Sequence, residues 1–308
     1  MDNLRTNTFG IIVLNHNGLN DTLECLNSIL SLELIPNEIV LIDNGSTDGS
    51  QDMFINKFSN DSRITLFFLE NNTGYAAGNN VGINYLLKRD VDIICILNND
   101  TIVGSDFLKA LRDCLKPGSL NHIATPKILC ADGQTIWSTG ERIFYPLLIS
   151  QTKKGKPDKD GLKTWQNING ITGCAMTVRR EVFECIGMFD EKYFAYVEDV
   201  DFCKRAVDAG FKFTLCPLSV IIHKVARTTG NLSAAQLYLK TRNRAYFIKK
   251  NIAPIYWGLA YGWYLMLNIF WILRSIFRKD IKAINAVKSG MIDFLRGKMG
   301  RGNVEFFI

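Results

Sequence analysis

Four apolar runs in the first hundred residues each stop at a cluster of asparagine or aspartate, and a helix-like stretch follows each cluster. The runs are F9-G-I-I-V-L14, E38-I-V-L-I42, I64-T-L-F-F-L69 and D92-I-I-C-I-L97. They lead into N15-H-N-G18, D43-N-G-S-T-D-G-S50, N71-N-T-G74 and N98-N-D-T101. Near-continuous apolar strands alternating with amphipathic helices predict an α/β fold with a mostly parallel central sheet covered on both faces. The intervening helices carry one-sided apolar sets, such as Leu23, Leu26, Ile29 and Leu30, or Phe107, Leu108, Leu111 and Leu115. In open α/β sheets ligands bind beyond the carboxyl ends of the strands. Four polar loops at those ends are therefore read as one ligand site.

Apolar residues make up 47% of the 308, enough for a sizeable core, so disorder and fibrous repeats are excluded. The eight cysteines are scattered with no C-x-x-C pair, which argues against structural zinc and a disulfide scaffold and fits a reducing compartment. No basic-then-apolar leader is visible at the N-terminus, so a cytoplasmic chain is expected.

The middle of the chain is less regular. T152-K-K-G-K-P-D-K-D-G161 reads as a solvated, mobile loop. I171-T-G-C-A-M-T-V178 reads as a strand, followed by a short helix from Arg179 to Ile186. The aromatic run Y193-F-A-Y-V197 also reads as a strand, and Glu198 opens a helix that ends at Gly210. F211-K-F-T-L-C216 and V220-I-I-H223 are further strand candidates.

Charge is unevenly spread. Residues 240–308 hold 13 Lys/Arg against 3 Asp/Glu, net +10, while residues 1–239 hold 23 against 27, net −4. The basic part surrounds Ile252–Leu273, which carries no formal charge but includes Pro254, Asn268, three Tyr and three Trp. Aromatics with basic flanks on both sides fit a helical segment lying in or re-entering a membrane interface. A helix pair packed on the body is the competing reading. Nucleic acid is disfavoured as the partner, because the positive charge accompanies an apolar run. Two parts are thus expected: a body at 1–235 and a basic, aromatic, helical region at 236–308, docked peripherally or monotopically on the inner face of the cell membrane.

Asp100 ends a buried strand beside the expected crevice, where a carboxylate suits a hard divalent cation that shares its coordination with substrate phosphates. On these residues alone a plain strand-end turn with Asx hydrogen bonds is the favoured reading of N98-N-D100. Glu198, Asp199 and Asp201 fall within four residues at a helix start; one such acid would serve as a cap, and three exceed what capping needs. A like-charged neighbour there raises a carboxyl pKa towards the working range of a base. His223 follows an apolar run, where a packed histidine is the commoner case. Gly74, Gly78 and Gly82 recur every four residues, a smooth helix face, and form neither a Walker loop nor a Rossmann fingerprint. ATPases and dehydrogenases are disfavoured accordingly.

Taken in order, I11-I-V-L-N-H-N-G18, L41-I-D-N-G-S-T-D-G-S50, N72-T-G-Y-A-A-G-N-N-V-G82, L97-N-N-D100, the N169-G-I-T-G-C-A175 region and Y196-V-E-D-V-D-F-C-K-R205 resemble glycosyltransferase family 2, in its rhamnosyltransferase-like branch. The resemblance runs from about Phe9 to His223 and implies a GT-A fold. It also implies inverting transfer from a nucleotide-diphosphate sugar, of the dTDP-rhamnose or UDP-sugar type, to a hydroxyl of a growing surface polysaccharide or lipid-linked saccharide. By the same resemblance Asn15 and Asp43 hold base and ribose. Asn72, Gly74 and Asn80 belong to a loop that closes over the nucleotide, and Asn98 and Asn99 are further donor-binding residues. Asp100 ligates Mg2+ or Mn2+ with His223 as second ligand, and Asp199 is the base with Glu198 beside it. The Gly173 turn lines the acceptor side, and Trp137 is a candidate for sugar stacking. Asn98 stands where the family's metal motif has its first aspartate, which leaves one anionic ligand. A sugar nucleotidyltransferase would want a basic glycine-rich loop after the first strand, which N15-H-N-G18 lacks. A non-catalytic binding subunit would have no reason to retain Asp100, Glu198, Asp199 and His223.

Overall fold

The computed structural model describes residues 7–151, 153–158, 168–224 and 232–307. Strands β1 (Phe9–Asn15), β2 (Glu38–Asn44), β3 (Ile64–Leu69) and β4 (Ile93–Asn98) alternate with helices α1 (Leu19–Leu30), α2 (Ser50–Phe58) and α3 (Gly74–Lys88). All three pairings among these strands are parallel, β2 on β3, β1 on β2 and β1 on β4. This half follows the strand–helix alternation of the sequence. After β5 (Thr101–Val103) and α4 (Phe107–Cys114) come β6 (Ile123–Cys130), β7 (Ile136–Ser138), and a separate hairpin of β8 (Arg142–Phe144) and β9 (Ile149–Gln151). Then follow β10 (Ala175–Arg179), α5 (Arg180–Ile186), α6 (Glu198–Asp208) and β11 (Phe213–His223).

The sheet order is β3-β2-β1-β4-β10-β6-β11-β5, with β7 on the edge of β6. Its second half is mixed. β10 runs antiparallel to both β4 and β6, while β11 is parallel to β6 and antiparallel to β5. Strand direction is invisible to hydrophobic periodicity, because a strand buried on both faces reads the same either way. β11 merges the two strands expected at 211–216 and 220–223, with a register shift between Cys216 and Val220. The expected strand at 171–178 begins only at Ala175; residues before it form a turn.

Two apolar layers clasp the sheet. One holds Phe9, Ile11 and Val13 of β1 against α1, α2 and α4, and the other holds Ile12, Val40 and Ile42 against α3 and α6. The glycine face of α3 packs as its spacing predicts. A Cβ at Gly78 would lie 2.7 Å from Leu14, and one at Gly82 would lie 2.9 Å from Ile12. Cys114 and Cys216 are paired as a disulfide between α4 and β11, a pairing their sequence spacing does not announce. The charged loop at 152–161 is described only at 153–158, and there it is anchored: Thr135 bridges Pro157, and Lys127 pairs with Asp158 at 2.6 Å. Thr152 and residues 159–161 lie outside the described residues.

Helices α7 (Ala234–Asn251), α8 (Trp257–Phe277) and α9 (Ile281–Leu295) form the C-terminal region. α7 opens with a capping box, Ser233 and Gln236 each bonding the other's backbone N–H. It starts two residues before the expected boundary at 236 and is stapled to the body. Arg242, fully buried, donates to the carbonyls of Tyr193 and Gly300. α8 packs on α7 through Ala260, Tyr264 and Asn268, with Thr241 donating to Asn268 at 3.1 Å. Its other face is bare: Leu259, Met266, Ile269, Phe270 and Leu273 are each about half exposed. Pro254–Phe277 is the one described segment long and apolar enough to cross a membrane, and 22% of its apolar window is buried.

Candidate active site

The rim is assembled at the carboxyl ends of β1, β2 and β4. Asn15, the last residue of β1, is fully buried and donates to Asp43 at 2.7 Å and to Ser46 at 3.0 Å. Its amide oxygen accepts from Thr22 at 2.8 Å and from the Gly18 N–H at 3.1 Å. Asp43, also fully buried, takes the Ser46 N–H at 2.9 Å and the Gln51 amide at 2.8 Å. Asn44 joins the next loop, accepting from the N–H and hydroxyl of Thr73 and donating to Asn72 at 3.2 Å. A β-strand end leaves its last backbone groups unpaired, and Asn and Asp side chains bond such neighbouring groups. That is why these four strands end as they do. Thr22, Asn44, Ser46 and Gln51 complete the network. The D43-N-G-S segment signals Ser46, whereas Thr22 and Gln51 sit on helices and carry no local signal.

Residues 72–80 do not form a loop. α3 begins at Gly74, so all but the first two residues are helical. Gly74 has φ +91°, and a Cβ there would lie 2.5 Å from Phe194, so the chain path demands glycine. Asn80 does not reach the rim. Its amide donates to the Phe189 carbonyl at 2.9 Å and to Glu191 at 3.0 Å, and accepts from the Phe189 N–H at 3.1 Å. It positions the 189–191 turn.

Asn99 donates to Thr22 at 2.9 Å and approaches Asn15 at 3.4 Å, tying the β4 end to the β1 end. Asn98 is half-buried at the tip of β4, and its N–H donates to the Cys174 carbonyl at 2.9 Å. Asp100 Oδ1 lies 3.1 Å from His223 Nε2, bringing together residues 123 apart in the sequence. The two atoms are close but not aligned as a hydrogen bond, and Asp100 Oδ1 and both His223 nitrogens are buried with no partner among the described residues. Two close acceptors left unpaired are what a shared cation would leave, and 3.1 Å is near the separation of adjacent oxygen and nitrogen ligands about 2.1 Å from one metal. Among the described residues no group of three or more His, Cys, Asp or Glu gathers in this way. The Trp137 ring stands edge-on to His223 at 4.6 Å, and Lys154 lies 5.0 Å over Trp137.

The other wall begins at the 171–174 turn. The Gly173 N–H donates to Asp199 at 2.9 Å, and the Tyr75 hydroxyl donates to the Gly173 carbonyl at 2.5 Å. Cys174 bonds β4 and Gly173 bonds Asp199, so Asp100 and Asp199 flank one short turn. Asp43 reaches the same rim through Asn15 and Asn99.

The aromatic run before Glu198 is not a strand. It is a one-turn 3-10 helix at Glu191–Tyr193 followed by a tight turn with positive φ at Phe194 (+64°), Tyr196 (+67°) and Val197 (+77°). Such angles cost about 1–3 kcal/mol each and persist only where surroundings impose them. α7 does so: the Asn243 amide donates to the carbonyls of Tyr193, Ala195 and Tyr196, each at 2.8 Å. The aromatics hide the turn from a sequence reading, because their propensity favours strands.

The turn delivers two different acids. Burial pushes the Asp199 carboxyl up, and that outweighs the Gly173 and Val200 N–H donors that hold it down. Burial pushes Glu198 well above the usual carboxylate range, and the charge of Asp199 adds to it. Glu198 Oε2 has no hydrogen-bond partner among the described residues. Asp201, the third acid, is not in the site: it is fully buried and pairs with Arg205 at 2.8 Å and Lys250 at 2.9 Å. Lys240 of α7 lies over the Tyr196 ring at 5.1 Å and feels both Asp199 and Glu198.

Around the carboxyl ends of the parallel strands the structure gathers the Asn15–Asp43 network, the bare Asp100–His223 pair and, across the 171–174 turn, the raised Asp199 carboxyl. The chain belongs to glycosyl transferase family 2, whose profile matches residues 10–187. It is 23% identical to "dTDP-rhamnosyl transferase RfbF" of Shigella flexneri over 97% of this chain and 99% of that protein. It is 25% identical to "N-acetylglucosaminyl-diphospho-decaprenol L-rhamnosyltransferase" of Mycobacterium tuberculosis over 80% of this chain and 86% of that one. Its fold matches the mannosyltransferase PcManGT of Pyrobaculum calidifontis, solved with GDP-Man and Mn2+, at a TM-score of 0.54 and 15% identity, covering 94% of this chain and 87% of that one.

Proposed function

We propose that the protein transfers a glycosyl unit, with inversion, from a nucleoside-diphosphate sugar to a hydroxyl of a growing surface polysaccharide or a lipid-linked saccharide. The observation that carries this is the placement of Asp199 and the Asp100–His223 pair on either side of the 171–174 turn. Asn15 and Asp43 shape the floor for base and ribose, with Asn72 and Gly74 fixing the start of α3 beside them. Asn98 and Asn99 line the diphosphate. The acceptor hydroxyl meets Asp199, which takes its proton as the oxygen attacks the anomeric carbon. The bond to the diphosphate breaks on the opposite face, through an oxocarbenium-like transition state. Glu198, kept neutral by burial, presents a hydrogen-bond donor to the same hydroxyl region. Asp100 and His223 would hold Mg2+ or Mn2+, which supplies positive charge for the departing diphosphate. Trp137, against His223, offers a flat apolar face to a sugar ring.

Relatives named for rhamnosyl transfer support a deoxysugar donor of the dTDP-rhamnose type over a UDP-sugar. The bare face of α8, beside exposed basic residues such as Lys249 and Lys279, supports peripheral docking on an anionic inner membrane surface. The docking helix lies flat, because its opposite face is taken by α7. In this reading residues 1–235 form the catalytic body, and 236–308 both buttress it and carry it to the membrane.

Release of nucleoside diphosphate from a panel of activated sugars with Mg2+ or Mn2+ tests the assignment. One donor class should turn over, and Asp199→Asn should cut kcat by about 10²–10⁴-fold with little change in donor KM. Undiminished turnover in Asp199→Asn would remove Asp199 as the base. Nucleotide binding with no turnover of any donor would leave a binding subunit instead.

A further inference from the structure

The charged segment 153–158 lies at the surface, yet its backbone is fixed. The Ile136 N–H donates to the Lys156 carbonyl and the Gly155 N–H to the Ile136 carbonyl, each at 2.8 Å, which lays the segment along β7. The Lys156 N–H closes a four-residue turn on the Lys153 carbonyl at 3.1 Å, with Gly155 at φ +80°. Positive φ at the third position marks a type II turn, which takes glycine there. Nothing lies within 4 Å of a Cβ at Gly155, so the backbone angle alone asks for it. Lys154 is the second residue of that turn. Its backbone is held while its side chain stays exposed.

That side chain lies over Trp137, 5.0 Å from the ring centre, and the same ring stands 4.6 Å from His223. Its charge is felt by Glu141 and Lys240, both of which also feel Asp199. Lys154 therefore stands over the gap between the Asp100–His223 pair and the base. An exposed ammonium over an aromatic face is held weakly, and its four-carbon stem is flexible, so it can leave the ring for a stronger partner.

In the glycosyl-transfer reading, the anion in that gap is the departing diphosphate. The Asp100–His223 pair offers one carboxylate, because position 98 is Asn, and no third His, Cys, Asp or Glu joins it among the described residues. Few anionic ligands mean weak retention of a divalent cation. The bond from the sugar to the diphosphate breaks with its electron pair left on oxygen, and that oxygen needs positive charge whether or not a metal is seated.

We propose that Lys154 is a second cation for the leaving group, borne by the chain itself, which binds the phosphate that carried the sugar. It donates N–H hydrogen bonds to that phosphate and keeps its proton. In leaving the ring it bares the Trp137 face that a sugar would use. The ligand class is a nucleoside diphosphate, and the proposal rests on the glycosyl-transfer reading for that identity.

The test is calorimetric titration of the full chain with dTDP, UDP, dTMP and UMP, in EDTA and again with Mn2+. In EDTA the parent should bind the better diphosphate about tenfold or more tighter than the matching monophosphate. Lys154→Ala should close most of that gap, and Lys154→Arg should keep it, because the cation is retained. Monophosphate affinity should be the same in all three, which also shows that the variants fold. Mn2+ should tighten diphosphate binding in the parent and in Lys154→Ala alike, and should fail to do so in Asp100→Asn, because the two cations act independently. The proposal is overturned if the parent shows no gap in EDTA, or if Lys154→Ala retains it. Monophosphate binding without a gap sinks this subsite alone. Binding of no nucleotide, with or without Mn2+, sinks the donor site and this proposal with it.

Discussion

The two walls of the crevice are built on opposite terms. On the donor wall, Asn15 and Asp43 are fully buried and their side-chain atoms are spent on Ser46, Gln51, Thr22 and Gly18. Each hydrogen bond comes from the same loops or the helices beside them. On the acceptor wall, Glu198 Oε2 is buried without a partner among the described residues. The turn that presents Glu198 and Asp199 is strained at three residues and held from outside by Asn243. A wall that only has to recognise a ligand can be satisfied before the ligand arrives, and satisfaction makes it rigid. A wall that must move a proton and meet developing charge keeps groups in reserve, and the cost is carried by neighbouring structure.

The contrast breaks most sharply if one residue is removed from each wall. Asn243→Ala removes the amide that holds the carbonyls of Tyr193, Ala195 and Tyr196, of which Tyr193 keeps its bond from Arg242, so kcat should fall by about 10²-fold or more through misplacement of Asp199, with donor KM nearly constant. Asp43→Ala should do the reverse, raising donor KM about tenfold or more while the pH profile of kcat keeps its shape. Steady-state kinetics on both variants decide it. Equal effects on KM and kcat from the two changes would mean that the walls are not separable.

A smaller effect sharpens the same contrast. The Glu198 pKa is raised in the folded state, so this carboxyl adds stability below its unfolded pKa and loses it as pH rises through the folded value. Above that point the ionised form is a buried charge with an unbonded oxygen. Glu198→Gln should therefore raise Tm by about 2–4 °C at pH 8, and the gain should vanish near pH 4. A variant less stable than the parent at pH 8 would show that Glu198 carries its charge comfortably.

How much of this the sequence discloses differs between the walls as well. The donor wall is legible, because Asn and Asp at the ends of apolar runs signal both strand termini and a polar site, and the parallel half of the sheet follows from strand–helix alternation. The acceptor wall is not. The turn at 193–197 is written in aromatics that favour strands, and Asn243 sits 44 residues beyond Asp199 with nothing local to mark its role. Spacing alone does not join Asp100 to His223; the family resemblance names both, and their contact comes from β11 returning beside β5, with His223 opposite Thr101. The C-terminal helices read correctly as apolar and basic, but their grip on the catalytic turn depends on contacts that no spacing rule encodes.

One measurement reaches the shared premise of both walls: a crystal structure of the full chain with dTDP and Mn2+. The base and ribose should lie against Asn15 and Asp43 and the metal between Asp100 and His223, with the diphosphate facing the Asp199 carboxylate across the 171–174 turn. A nucleotide bound elsewhere, or one whose diphosphate points away from Asp199, would contradict the single crevice.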